Sequence, residues 1–556
     1  MKKDKIFVIG IDSGTFDVIT PLAKEGHLPN FTRLVKEGCS GALESTIPPV
    51  TPPAWVSFMT GKNPGKHGVF DFYASPFFGY ERPVLHSGYI KARTIWSLLS
   101  EANKKIGVIN VPITYPPEKV NGFIIPGLQF GLDVNCGFTH PPELIKKIKE
   151  KFGEYHVAYG NLMGVYSHEL DNYIAQWDRI HKKREEVLFY LMDEYSWDFF
   201  MVVFSSIDLI QHRFWKYSDK THPRYDPDKA KKYASVIPDF YKKIDTSIGK
   251  ILDRLNDSTK VVVVSDHGMG PEHKAFYLNK WLMKEGLLRL KRGFFPFLRF
   301  KLPHIVYKVL KKLKHPGIEW TIPMNSYRVL KDLVDPRDGL KLSYFIDWTR
   351  TKAYAANYTE QGLYINLKGR EPMGIVEPGS EYEEIRDFIR DKMYQIVDPE
   401  TGQKVFDKIY KKEEIYHGPY INHAPDLSFV MRGGTYLSHR EIHYKKLFRT
   451  DDRNSATHRM NGIFIIKGDG IKKNVTLEGC KIIDVAPTIL YATGLPVPDD
   501  MDGKVLIDAF ERKFINEYPI QYSSTSETSP SHDKGIYSGE ESEKIKESLR
   551  DLGYIG

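Results

Sequence analysis

Five short runs of apolar, mostly β-branched residues punctuate the chain, and each ends in polar residues. They are IFVIGID (6–12), KIGVINV (105–111), FFMVVFSSID (199–208), KVVVVSDHG (260–268) and GIFIIKGDG (462–470). A continuous apolar strand is covered on both faces, as in a parallel sheet between helical layers. Between the runs lie stretches with apolar residues at helical spacing: LPNFTRLVKEG (28–38), ARTIWSLLSEANK (92–104) and PELIKKIKEKFG (142–153). Strand alternating with helix predicts an α/β doubly wound layer structure. In such sheets ligands gather at the carboxyl ends of strands. Asp12, Asp208, Asp266 and His267 all fall at or near such ends.

The rhythm breaks at about residue 281. Residues 281–350 include a basic apolar stretch, and mixed strands and helices resume over 351–457. The pattern predicts a catalytic core in two parts, residues 1–280 and 458–515, with an inserted cap region over 281–457. Residues 516–556 read as a flexible Ser/Thr-rich linker and a short amphipathic C-terminal helix. With 556 residues, 41% of them apolar, the chain can bury cores of this size.

Charge changes the picture locally. The net charge is +8, yet residues 287–316 alone carry nine Lys or Arg and no Asp or Glu. Within that segment Ile305, Val306, Val309, Leu310 and Leu313 recur at helical spacing, with lysines mostly off the stripe. A basic amphipathic segment of this kind suits either an anionic membrane surface or a helix packed on its own domain. The first alternative makes peripheral membrane contact and a lipid-linked phosphate ester substrate an expectation; no nucleic-acid partner is expected. Cys39, Cys136 and Cys480 are far apart and form no CxxC pair. Neither a disulfide framework nor a cysteine zinc site is indicated, which suits a reducing, cytoplasmic setting. The N-terminal run is short and ends at once in Asp12, so it reads as a strand rather than a signal core. No stretch approaches the ~18 apolar residues of a membrane span.

The candidate chemistry sits at the strand ends. Asp266 and His267 are adjacent in SDHGMG, and carboxylate and imidazole both ligate zinc, manganese or iron. Asp208 and His212 in IDLIQH stand four residues apart, so on a helix they share a face and can chelate one ion. Asp12 ends the first strand and His458 precedes the fifth. A shielded hydroxyl, Thr51, stands between proline pairs in PPVTPPAWVSFMTG, extended ahead of the helix AWVSFMTG. Three Asp, three His and one such hydroxyl are what two-metal hydrolysis of a phosphate ester needs. There is no Walker motif and no GxGxxG fingerprint, which removes kinase and dehydrogenase readings.

These stretches resemble the alkaline phosphatase superfamily, and within it the type I phosphodiesterase/nucleotide pyrophosphatase family. The likeness rests on VIGID (8–12), TPPAWVSFMTGKNPGKHG (51–68), DLIQH (208–212), SDHGMG (265–270), ATHRMNG (456–462) and DVAPTILYATGLPVPDDMDGKVL (484–506). It implies an α/β/α sandwich around a mostly parallel sheet. Thr51 resembles the nucleophile; Asp12, Asp266 and His267 resemble ligands of the metal that activates it; Asp208, His212 and His458 resemble ligands of a second metal. The resemblance implies two divalent ions, zinc or alternatively manganese. It implies hydrolysis of a phosphodiester or pyrophosphate through a phospho-threonine intermediate. A phosphomonoesterase or phosphoglycerate mutase-like phosphotransferase is the alternative. Nucleotide pyrophosphatases carry T-F-P-N-H at the nucleophile, where this chain has Thr51, Pro52, Pro53, Ala54 and Trp55. The Asn that helps bind a phosphoryl oxygen is therefore missing, leaving the backbone N–H of Thr51 or Ala54 as candidate donors. Sulfatases need C/S-x-P-S-R, which no cysteine here has.

Overall fold

The computed structural model describes residues 5–74, 80, 82–127, 137–155, 170–291, 345–355, 361–442, 446–450, 454–524, 542 and 545–546. The expected basic segment 287–316, apart from its first five residues, and most of the C-terminal helix lie outside the described residues, as does Cys136.

The centre is a nine-stranded sheet. Its strands are β1 (Ile6–Ile11), β2 (Gly38–Glu44), β3 (Ile106–Pro112), β4 (Gly122–Gly127), β5 (Phe199–Phe204), β6 (Lys260–Val264), β7 (Asn461–Lys467), β8 (Val475–Thr476) and β9 (Cys480–Lys481). The spatial order is β8-β2-β7-β6-β1-β5-β3-β4, with β9 beside β2. All five apolar runs form strands of this sheet. One runs against the expectation of parallel packing: β7 is antiparallel to both neighbours, β6 and β2. Burial on both faces does not distinguish strand directions, so the apolar run alone could not show this.

The covering helices are α1 (Phe16–Lys24), α2 (Pro29–Glu37), α3 (Thr51–Thr60), α4 (Ile95–Glu101), α5 (Leu144–Phe152), α6 (Leu170–Glu194), α7 (Ser206–Ser218), α8 (Val236–Leu252) and α9 (Val485–Ala492). The strands divide their side chains between two layers with the period of two that a pleated strand imposes. Phe7, Ile9 and Ile11 of β1 pack with α1, α2 and α5 to α8. Ile6 and Val8 face α3, α4 and α9. The result is the α/β/α sandwich.

Described residues between Phe276 and Tyr436 build a separate apolar cluster. It includes Phe276, Trp281, Tyr354, Leu363, Ile389, Phe406 and Phe429. A four-stranded sheet in the order Phe406–Lys411, Leu427–Met431, Gly362–Ile365, Ala353–Tyr354 lies within it, beside the helix Ser380–Tyr394. Among the described residues no helix is long and apolar enough to cross a membrane.

Two local features aim the site. The N–H of Asp12 donates to the carbonyl of Phe204 at 3.0 Å, extending the β1–β5 ladder so that Asp12 stands beside the start of α7. After β6 the chain turns through Asp266 and His267 into Gly268–Pro271, which pairs antiparallel with Ala456–Arg459 in the register His458↔Met269. That pairing carries a residue from far along the chain to the end of β6. Gly268 is required there, since a Cβ would stand 2.2 Å from the Asn461 carbonyl oxygen.

Candidate metal centre and nucleophile

The seven residues singled out in the sequence converge on one buried region. Asp12, Thr51, Asp208, Asp266 and His267 are fully buried, and His212 is nearly so. His212 Nε2 lies 3.4 Å from Asp208 Oδ1, His458 Nε2 lies 3.5 Å from the same oxygen, and the two nitrogens are 3.2 Å apart. Donors at zinc bond lengths of ~2.0–2.1 Å stand about 3.3 Å apart in a tetrahedron, so this triangle has the size of one coordination face.

The imidazole tautomers follow from the partners. His212 Nδ1 is 2.7 Å from the Ala456 carbonyl and His458 Nδ1 is 3.0 Å from the Pro49 carbonyl. A carbonyl only accepts, so both Nδ1 atoms carry the hydrogen, and in the neutral rings both Nε2 atoms present lone pairs. These lone pairs face each other and a carboxylate oxygen, an arrangement that a cation resolves. Burial works against the Asp208 charge, yet His212 and His458 hold its carboxyl well below the usual range. Burial keeps His458 and His267 neutral, while Asp208 draws His212 upward against the same effect.

The second triangle is adjacent. Donor atoms of Asp12, Asp266 and His267 all lie within 4.8 Å of one another. His267 Nε2 is 3.1 Å from Asp266 Oδ2 and 3.9 Å from Asp12 Oδ1. Both oxygens of Asp12 and Oδ2 of Asp266 are buried and accept no hydrogen bond. Burial, then the other carboxylates of the cluster, raises Asp12 and Asp266 well above the usual range. The indole of Trp55 eases the Asp12 charge without making a hydrogen bond. Orphaned carboxylate oxygens beside a neutral imidazole fit a divalent cation. The two triangles touch: the His267 and His458 rings stack with centroids 3.8 Å apart, and His267 is close enough to Asp208 and His458 to join their group.

Thr51 Oγ1 lies 3.2 Å from His267 Nε2. His267 Nδ1 faces the Gly268 carbonyl at 3.1 Å, so its Nε2 accepts the Thr51 hydroxyl hydrogen. Helix α3 begins at Thr51 itself, three residues earlier than expected, with Val50 as the extended cap and prolines in the first turn. Proline is tolerated there because a first-turn N–H has no intrahelical acceptor. The Ala54 N–H, expected to be free, donates to the Val50 carbonyl at 3.1 Å, since it already belongs to the helical ladder. Trp55 is fully buried in the core and packs across Gly10, whose Cβ would meet its ring at 2.8 Å.

Polar side chains after α3 and after the SDHGMG turn are engaged elsewhere. His67 accepts from the Val69 N–H and donates to Ser57 Oγ, with burial pushing it down to about 3. Lys62 pairs with Asp500, Lys66 with Asp502, and Lys274 with Asp398 and Glu400. Glu272 is buried and acts electrostatically on His212 and Arg459. Sequence reasoning missed Ser13. Its hydroxyl donates to Asp208 Oδ1 at 2.5 Å and its N–H donates to Asp266 Oδ1 at 3.2 Å. In D-S-G at a strand end it reads as a turn residue.

The α/β/α sandwich thus brings two Asp/His donor triangles beside a buried hydroxyl. The sequence matches the type I phosphodiesterase / nucleotide pyrophosphatase family over residues 6–463, and the chain belongs to that family of hydrolases. No curated protein matches the sequence. Among solved structures, an inactive variant of murine ectonucleotide pyrophosphatase/phosphodiesterase 5 in complex with AMP is similar. It shares 13% identity over 91% of this chain and 100% of its own, with a TM-score of 0.49. Phosphonoacetate hydrolase from Sinorhizobium meliloti in complex with phosphonoacetate shares 14% identity over 88% of this chain and 95% of its own, with a TM-score of 0.47.

Proposed function

We propose that the protein hydrolyses a phosphodiester or pyrophosphate bond by double displacement, with Thr51 as nucleophile. Asp12, Asp266 and His267 would hold one divalent cation, and Asp208, His212 and His458 the other. The observation that carries this reading is the Asp208–His212–His458 triangle, with edges of 3.2, 3.4 and 3.5 Å and both Nδ1 hydrogens committed to carbonyls. Zinc and manganese both suit this nitrogen and oxygen donor set. When bound, such cations lower the pKa of a coordinated hydroxyl and stabilise charge on attacking and leaving oxygens.

The chain's own contribution is position. Thr51 Oγ releases its hydrogen and forms the new bond to phosphorus as the leaving oxygen takes the old bonding pair and a proton from water. Water then cleaves the phospho-Thr51 ester and restores the hydroxyl. Thr51 opens α3, where the positive end of the helix dipole favours charge on its side chain. Ala54 offers no side-chain amide and its N–H is engaged, so contacts to the phosphoryl oxygens fall to the donor-bearing groups around Thr51.

The test uses bis-p-nitrophenyl phosphate and p-nitrophenyl phosphate with added Zn²⁺ or Mn²⁺. Faster turnover of the diester is expected, and faster turnover of the monoester would replace this reading with a phosphomonoesterase. Thr51→Ala should keep its metal content and lose turnover. Full activity in that variant would remove Thr51 from the reaction.

A further inference from the structure

Each polar group of Ser13 is spoken for. Its N–H donates to Asp266 Oδ1 at 3.2 Å, and its hydroxyl donates to Asp208 Oδ1 at 2.5 Å. Its Oγ lies 3.1 Å from His267 Nδ1, and its carbonyl accepts from Gln211 Nε2 at 3.0 Å. Gln211 lies between Asp208 and His212 on α7, and its Oε1 accepts from the Tyr241 hydroxyl at 3.2 Å. That hydroxyl in turn accepts the Thr15 N–H, also at 3.2 Å. One residue thus touches the carboxylate and the imidazole of the Asp12–Asp266–His267 triangle and the carboxylate of the Asp208–His212–His458 triangle.

The backbone makes the choice of serine informative. Ser13 has a φ of 60°, in the left-handed region where a side chain is strained and glycine is not. Conformation alone would favour glycine at this position. What serine adds is the hydroxyl, and the hydroxyl sits between the two triangles.

The proton order is fixed by the partners. His267 Nδ1 carries a hydrogen, shared between the Gly268 carbonyl and Ser13 Oγ at 3.1 Å each. Ser13 passes its own hydrogen to Asp208 Oδ1, the oxygen that faces both His212 and His458. The chain His267 Nδ1–H···Oγ–H···Oδ1 Asp208 therefore runs from one donor set to the other. Partners of this kind behind a ligand set its orientation and typically change metal affinity 10–100-fold.

We infer that Ser13 is a positioning residue that couples the two metal sites, so that filling the site of Asp12, Asp266 and His267 prepares Asp208 for the second ion. This rests on the two-metal reading above. An imidazole that ligates through Nε2 is a stronger donor through Nδ1, and a His267 ring so fixed holds the Ser13 hydroxyl on Asp208. By linkage the second site strengthens the first by the same factor.

The experiment is a calorimetric titration of chelator-stripped protein with Zn²⁺ alone and with Mn²⁺ alone, comparing wild type, Ser13→Gly and Ser13→Ala. Wild type should take up two ions, the second no more weakly than the first. Ser13→Gly removes the hydroxyl and also the left-handed strain, so it should melt no lower than wild type in chelator. Its first ion should bind within a few-fold of wild type and its second 10–100-fold more weakly. Ser13→Ala should show the same binding defect with a lower melting temperature, which separates the hydroxyl from the backbone. Two wild-type affinities in Ser13→Gly would overturn the coupling and leave the two-metal reading standing. Fewer than two ions in wild type would overturn both.

Discussion

Replacing Asp12 by Asn should stabilise the metal-free protein and destabilise the metal-loaded one. Asp12 is fully buried, neither of its oxygens accepts a hydrogen bond, and its donor atom lies within 4.8 Å of that of Asp266. Two unit charges at that separation repel by about 3.5 kcal/mol at an effective dielectric constant of about 20. Proton uptake by the pair caps this penalty, so the gain on substitution should be about 1–3 kcal/mol, comparable to one unsatisfied buried acceptor. The sign with pH is fixed. Burial and the neighbouring carboxylates raise the folded-state pKa of Asp12 above its unfolded value. The stability of the stripped wild type therefore falls as pH rises above ~3.9 until Asp12 itself ionises, and the advantage of Asn grows over the same interval. With metal the order inverts, because an ion at 100 times its Kd contributes ~2.7 kcal/mol that the variant forgoes. The assay is thermal unfolding of both proteins with chelator and with excess Zn²⁺, at several pH values. If Asp12→Asn melts lower than wild type in chelator as well as in metal, Asp12 has a structural role and the ligand assignment is wrong.

Gly10→Ala should lower both stability and turnover, because the new Cβ would stand 2.7 Å from Val203 Cγ2 and 2.8 Å from Trp55 Cη2. Overpacking of this kind costs ~1–3 kcal/mol, and Trp55 shares the first turns of α3 with Thr51; denaturant unfolding and diesterase kinetics measure the two effects. His67→Ala should cost about 1–3 kcal/mol through the exposed needs of Ser57 and Val69, with an unchanged pH–rate profile, since His67 is neutral across the working range. A shifted profile would place His67 in the chemistry. Asp426→Ala should cost ~3–5 kcal/mol, because buried Asp426 accepts from Arg370, Lys412, Tyr382 and the Ile365 N–H. Burial opposes its charge but Arg370 overcomes this and depresses its pKa, so its contribution is present above ~3.9 and lost as pH falls through the folded value. Acid unfolding followed by fluorescence of Trp348, which stacks on Tyr80, reads that loss.

The strands and ligand candidates were legible for a common reason. Burial on both faces writes an unbroken apolar run, and the polar residue that ends such a run stands at the sheet's carboxyl edge. Asp12, Asp266 and His267 were visible in this way, and the i, i+4 spacing of Asp208 and His212 stated their shared helix face directly. What the chain did not display was pairing. GCSGALE carries no long apolar run, yet it is β2, where a Cβ at Gly41 would stand 2.4 Å from the Leu477 carbonyl oxygen. The direction of β7 depends on β6 and β2, whose paired residues lie 200 (Phe464↔Val264) to 417 (Asn461↔Glu44) or more positions earlier, and the register that sets His458 opposite Met269 depends on a partner 189 residues away. Ser13 was hidden for a related reason, since its role lies in contacts to Asp208 and His267, at separations no local pattern encodes.

The position of β2 in the sheet bears on how the enzyme comes into being on the ribosome. Every strand that pairs with β2, namely β7, β8 and β9, is translated after residue 460. During synthesis β2 has no hydrogen-bonding partner in the sheet, and the loop that follows it to Thr51 has no His458 ring to rest against. The same late segment supplies the missing strand, the carbonyl that orients His212 and the third donor of the Asp208–His212–His458 triangle. Completion of the sheet and convergence of the six Asp and His side chains are thus one event, reached when about five-sixths of the sequence has emerged. A nascent chain that already contains Thr51 and five of the six clustered Asp and His side chains lacks the sixth, His458, until then.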